Sequence, residues 1–208
     1  MATDPTSKET ILKSIREALS NPVPLPFPGS ETDEQLFVSS GEDHAVVFAE
    51  EFTKLQGKFV FCVDNQDLQQ QFSHLVQLRE WTNVYCRDEK LLQLFGLPRG
   101  EDLGGCDVSV TGCEYLVART GSIVLSSAQE SGRTTSVYAP IHICIAYNRQ
   151  LLYDVRDALE FLKTKYQDNF PSFVTLATGP SRTADIEKTL VTGVHGPKEV
   201  FCFLVEQD

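Results

Sequence analysis

With 208 residues, 41% of them hydrophobic and 23% charged, the chain is long enough to bury one sizeable core and short enough to need only one domain around it. A formal net charge of -11, with no run of Lys or Arg, sets it against the phosphate backbone of DNA or RNA. No apolar run approaches the roughly 20 residues of a membrane span, and the N-terminus lacks the basic and apolar regions of a secretory signal, so a soluble cytoplasmic protein is predicted.

Thr6-Ser-Lys-Glu9 has the form of a capping box, and Ile11, Leu12, Ile15, Ala18 and Leu19 follow at helical spacing, which predicts an amphipathic helix. Pro22, Pro24, Pro26 and Pro28 then alternate with other residues, forbidding helix and favouring an extended polyproline arm. Residues 1–42 therefore read as a helix and arm, open to packing on the same domain, a second copy or a different protein.

From Asp43 the pattern becomes regular. Helix is predicted near 43–56, strand at Phe59 to Val63, helix near 66–80, strand at Asn83 to Cys86 and a short helix near 88–95. After the turn-rich Leu97 to Cys106, strands are predicted at Asp107 to Val110, Ser122 to Ser126 and Ile141 to Tyr147, then a helix near 150–166. Phe173 to Thr178 reads as a buried strand, Gly179 and Pro180 break it, Thr183 to Leu190 resumes with helical spacing, and Glu199 to Val205 closes the chain as a strand. Strands alternating with helices predict an α/β domain over 43–208 with a mostly parallel sheet covered on both faces. The strands crowded between 107 and 147 predict some antiparallel pairing as well.

Cysteines stand at 62, 86, 106, 113, 144 and 202, and none has the C-x2-C spacing of zinc or iron-sulfur sites. Cys62, Cys144 and Cys202 sit inside apolar runs and read as small core hydrophobes in a reducing compartment. Cys106 and Cys113 border a Gly-rich turn with no nearby base to activate a thiol. The histidines are equally scattered, so no metal site is predicted.

Two segments concentrate polar chemistry. In the second, Ser181, Arg182 and Thr183 are placed where a strand ends and a helix begins, an edge that collects ligands in open α/β sheets and whose unpaired N–H groups hold phosphate or carboxylate. Asp185 follows, and His195, between Gly193 and Gly196, offers an accessible imidazole for proton transfer or anion contact. In the first segment, Thr120 and Ser122 bracket Gly121, and Gly132 with Arg133 gives a flexible loop carrying a planar fork for an anion. Glu114 has two readings: a general base or nucleophile whose pKa burial would raise, or a first-turn carboxylate complementing a helix dipole. His44, His74 and His142 fall within helix or strand patterns and are assigned no chemistry.

Taken together, Glu114-Tyr-Leu-Val-Ala-Arg-Thr-Gly-Ser-Ile-Val-Leu and Gly179-Pro-Ser-Arg-Thr-Ala-Asp-Ile-Glu with Gly193-Val-His-Gly-Pro resemble the lactate-utilisation protein C family, the LUD domain of LutC/YkgG type, over roughly residues 43–206. The resemblance implies a three-layer αβα sandwich of the NagB/RpiA/CoA-transferase type. It also implies a part in oxidising L-lactate to pyruvate beside iron-sulfur partner proteins, with no cofactor in this chain. Its motif points to Gly121, Ser122, Gly179, Ser181, Arg182, Thr183, Asp185, His195 and Gly196 as ligand-site positions; from the reading of the residues themselves, Glu114 and His195 are the candidates for chemistry. A small anionic ligand is expected, and a homo-oligomer is possible on this layout. A stand-alone enzyme on a phosphosugar, acyl-CoA or folate-like substrate, and a ligand sensor, are the alternatives.

Overall fold

The computed structural model describes residues 7–20, 41, 43–183 and 191–207. The chain divides into two compact units, Met1–Ser40 and Gly41–Asp208. In the first, helix α1 spans Ser7–Ser20, as its spacing requires. Thr6, the proline arm and Asp185 lie outside the described residues.

In the second unit, four helices begin on an aspartate whose carboxylate accepts from the backbone N–H groups that the first turn leaves unpaired. Asp43 caps α2 (His44–Lys54), Asp64 caps α3 (Asn65–Leu78), Asp88 caps α4 (Glu89–Phe95) and Asp154 caps a later helix. Part of the acid excess is therefore spent on starting helices. Between them run β1 (Lys58–Cys62) and β2 (Val84–Cys86), followed by β3 (Val108–Thr111), β4 (Tyr115–Val117), β5 (Ser122–Ser126), the short α5 (Thr135–Tyr138), β6 (Ile141–Tyr147) and β7 (Leu151–Leu152). The rest is α6 (Val155–Tyr166), β8 (Val174–Ala177), β9 (Arg182–Thr183), β10 (Val191–Thr192) and β11 (Glu199–Val205).

Five strands form a parallel sheet in the order β1-β11-β6-β3-β2. A sheet buried on both faces demands continuous apolar runs, and Ile-His-Ile-Cys-Ile-Ala-Tyr of β6 and Glu-Val-Phe-Cys-Phe-Leu-Val of β11 supply them. One face packs Ile143, Ile145, Phe201 and Phe203 against Leu68 and Phe72 of α3 and Leu91 and Leu92 of α4. The other packs Cys144, Ala146, Cys202 and Leu204 against Phe48 and Phe52 of α2. Each of those fully buried phenylalanines is worth about 1.5–3 kcal/mol in transfer alone. The α/β class and mostly parallel sheet follow the sequence expectation, helices lying on both faces.

A second sheet, β7-β4-β5-β8, shares the face occupied by α2 through Leu116, Ile123 and Leu125, and α6 covers its outer side with Ala158 and Leu162. Its β4–β5 and β5–β8 pairs are antiparallel. Three expectations need correction here. The helix expected from 150 starts at Val155, because Leu151 and Leu152 first pair with β4. The strand expected to be buried at 173–178 is the edge of this sheet, with Phe173 and Leu176 about two-fifths exposed. Arg182 and Thr183 are strand residues, pairing antiparallel with Thr192 and Val191, and the remainder of the helix expected over Thr183 to Leu190 lies outside the described residues.

All six cysteines are buried and unpaired by disulfides. Burial pushes the Cys62 thiol up to about 12 and the Cys86 thiol up to about 11, so both stay protonated. Among the described residues no helix is long and apolar enough to cross a membrane, and no group of three His, Cys, Asp or Glu is placed to hold a metal ion.

Candidate functional site

The geometry is organised by β5. Ser122 and Ser126 mark its two ends, about 13 Å apart at ~3.3 Å per residue, and each end gathers a different cluster.

At the Ser126 end lies Glu114, whose side chain is 1% exposed. Its Oε1 accepts from Ser126 Oγ at 2.5 Å and from Tyr166 Oη at 2.7 Å, and its Oε2 accepts from Lys165 Nζ at 2.7 Å. Burial pushes the carboxyl up, yet the bonds from Lys165, Ser126 and Tyr166 outweigh it and hold Glu114 below the usual carboxylate range. That overturns the expectation that desolvation raises this pKa. It also removes the helix-dipole reading, because Glu114 lies in no helix and its helical partners, Lys165 and Tyr166, come from the last turn of α6 rather than from a first turn. A cleft of about 600 Å³ opens over this cluster at the carboxyl end of the parallel sheet, lined also by Lys90, Arg149, Asp88 and Glu130. Its cations stand among carboxylates. Gly132 and Arg133 belong to the same end of β5, where Arg133 donates to Ser172 Oγ at 2.5 Å and stacks over Phe173.

At the Ser122 end a chain of hydroxyls runs from Thr120 Oγ1 to Ser122 Oγ at 2.8 Å and on to Thr178 Oγ1 at 3.1 Å. Here the two sequence segments meet. Thr178 lines an inner chamber of about 330 Å³ with Ser136, His142, Thr175, Ser181 and His195. An outer chamber of about 490 Å³, with Tyr138 and Lys198 on its wall, shares Val137, His195 and Gly196 with it. The pair forms one cleft at the amino end of β6 and β11. Its loop is pinned by the backbone: Ser181 N–H donates to Pro197 O, Gly193 N–H to Ser181 O and Lys198 N–H to Pro140 O. Gly196 must be glycine for this approach, since a Cβ there would stand 2.9 Å from Ser181 Cβ.

In a chain carrying 29 acids against 18 bases, no carboxylate lines either chamber among the described residues. Lys198, two imidazoles and four small hydroxyls do. His142, which sequence reasoning passed over, is 1% exposed, and burial lowers its pKa to about 4. Its Nε2 meets Thr111 Oγ1 at 2.8 Å, while Nδ1 has no hydrogen-bond partner. The signal was present as a lone polar residue in a strand otherwise apolar from Ile141 to Ala146.

Other motif positions have structural work. Gly121 is left-handed at φ 58°, and a Cβ there would fall 2.5 Å from Phe52 N. Gly179, at φ 85°, would place one 2.5 Å from Leu55 O. Both glycines admit the end of α2. Arg119 ties the first segment to the cap of α6 through Asp154 Oδ2 at 2.5 Å. Arg182 is exposed on β9, and Thr183 pairs with Val191 of β10.

A sequence model of the LUD domain matches residues 45–205. The chain belongs to the LUD domain family. Similar proteins include lactate utilization protein C of Bacillus licheniformis, 35% identical over 102 residues that make up 48% of this chain and 42% of that protein. Lactate utilization protein C of Deinococcus radiodurans is 32% identical over 105 residues, 50% and 49% of the two chains. The uncharacterized protein YkgG of Escherichia coli is 37% identical over 101 residues, 48% and 44% of the two chains. The match spans less than half the length of these curated relatives. The crystal structure of a DUF162 family protein from Deinococcus radiodurans shares the fold, with a TM-score of 0.58 and 18% identity over 79% of this chain and 99% of that one.

Proposed function

We propose that this LUD-domain chain is a non-redox subunit of a cytoplasmic lactate-utilisation system, supporting oxidation of L-lactate to pyruvate beside iron-sulfur partners that carry the electrons. Its own task is to hold a small anionic ligand in the amino-edge cleft. Relatives named lactate utilization protein C support the pathway. The observation that carries the ligand reading is the cleft's lining: the cation Lys198, with two imidazoles and small hydroxyls as hydrogen-bonding groups and no described carboxylate, in a chain of net charge -11. An anion entering it meets donors rather than the repulsion that prevails elsewhere on an acidic surface. Ser181 and Thr178 can donate to its oxygens, and Lys198 supplies charge at the outer wall.

A self-contained enzyme using Glu114 as base or nucleophile draws no support from the geometry. That carboxylate is ionised, buried and engaged by three donors. Deleting the gene should abolish growth on lactate, and a full-length copy should restore it. The purified protein should gain thermal stability in millimolar L-lactate or pyruvate without turning either over. Normal growth of the deletion strain on lactate would remove the reading.

A further inference from the structure

Along β6 the side chains alternate: Ile143 and Ile145 join the core under α3 and α4, while Cys144 and Ala146 join the core under α2. His142 holds the next position of the second row, so an imidazole continues the row of Cys144 and Ala146, beside the buried Ser109 of β3. Packing alone would be served better there by Leu or Val, which bring no polar atom to satisfy. The ring is anchored at one nitrogen by Thr111, and the other, Nδ1, is buried without a partner. The same residue lines the inner chamber together with Ser136, Thr175, Thr178 and Ser181, with His195 where the two chambers join.

The ring is neutral at ordinary pH because burial disfavours its charged form. A neutral imidazole offers one N–H and one lone pair, so it recognises an uncharged oxygen, a hydroxyl that donates or a carbonyl that accepts, and has no charge to offer a carboxylate. Charge is available instead from Lys198 on the outer wall. We propose that His142 is the inner hydrogen-bonding anchor of this cleft, and that the ligand is a short carboxylate bearing a second, uncharged oxygen that reaches Nδ1. Which partner holds the proton of the Thr111 contact decides whether Nδ1 accepts or donates. This inference rests on the reading of the cleft as an anion site.

The test uses three acids that share a carboxylate: L-lactate with a hydroxyl, pyruvate with a keto oxygen, and propionate with neither. Each is titrated into the uniformly 15N-labelled full chain, following the imidazole nitrogens and the affinity together. Lactate or pyruvate should bind at least about tenfold tighter than propionate and shift the Nδ1 resonance of His142, while propionate leaves it in place. His142→Phe should erase the discrimination while keeping propionate binding; the measurement on the unmutated chain stands if that variant does not fold. Equal affinities, or a His142 Nδ1 that ignores lactate and pyruvate, would overturn the inference and leave the anion site standing. Failure of all three acids to bind at tens of millimolar would overturn both.

Discussion

Two buried ionisable side chains make the protein sensitive to acid in separate windows. His142 has its pKa lowered to about 4 by burial, against roughly 6.5 for a free imidazole. Between those values the unfolded chain binds a proton that the native state refuses, so stability is greatest above pH ~6.5 and falls toward pH 4, by on the order of 3 kcal/mol. Denaturant titrations should show that fall, and His142→Phe should remove it; an unchanged slope in the variant would contradict the burial of a neutral ring. Glu114 acts lower. Its carboxyl is buried, which opposes ionisation, but Lys165, Ser126 and Tyr166 hold it below the usual range. Its contribution is complete above the unfolded carboxyl value and is lost as pH falls through the folded one, so Glu114→Gln should flatten the stability curve below about pH 4.5. At neutral pH Glu114→Ala should cost about 2 kcal/mol, less than for a fully buried pair because Lys165 remains half exposed to water. Its affinity for small acids should be unchanged, since the carboxylate is not part of the amino-edge cleft.

Among the elements, α2 depends on two glycines that the family motif supplies. Gly121→Ala would combine left-handed strain with a Cβ 2.5 Å from Phe52 N, and should lower stability on the order of 3 kcal/mol. Gly132→Ala, also left-handed but with no atom within 4 Å, should lose only about 1–2 kcal/mol. Denaturant midpoints of the two variants measure the difference, and equal losses would contradict the packing role. The strands β6 and β11 were legible in the sequence because burial on both faces forces unbroken apolar runs, and β1 because it is apolar after Lys58 even though it is an edge strand. β7, β9 and β10 were not: a two-residue strand has no period to read, and its pairing is fixed by a partner that the local sequence does not name. For the same reason Thr183 looked helical until its pairing with Val191 was seen. Glu114 stood out as a carboxylate, but two of its three partners, Lys165 and Tyr166, lie 51 and 52 residues further along, beyond the reach of any local pattern.

For the molecule as a whole, the polar residues singled out from sequence do not form one niche. Ser122, Thr178, Ser181, His195 and Gly196 assemble at the amino edge, whereas Glu114, Gly132 and Arg133 stand at the far end of β5. The convergence of the two segments was readable; the division between the edges was not, because it depends on strand direction in the second sheet, where β5 runs antiparallel to both β4 and β8. The two edges also differ in charge, with acids and bases interleaved over Glu114 and no described carboxylate around His195. Calorimetric titration of L-lactate into two double variants tests the account most directly. Lys198→Ala with His195→Ala should weaken binding at least about tenfold and reduce its dependence on salt, while Lys90→Ala with Arg149→Ala should leave both unchanged. Binding that survives the first pair and disappears with the second would place the ligand at the carboxyl edge and contradict the account.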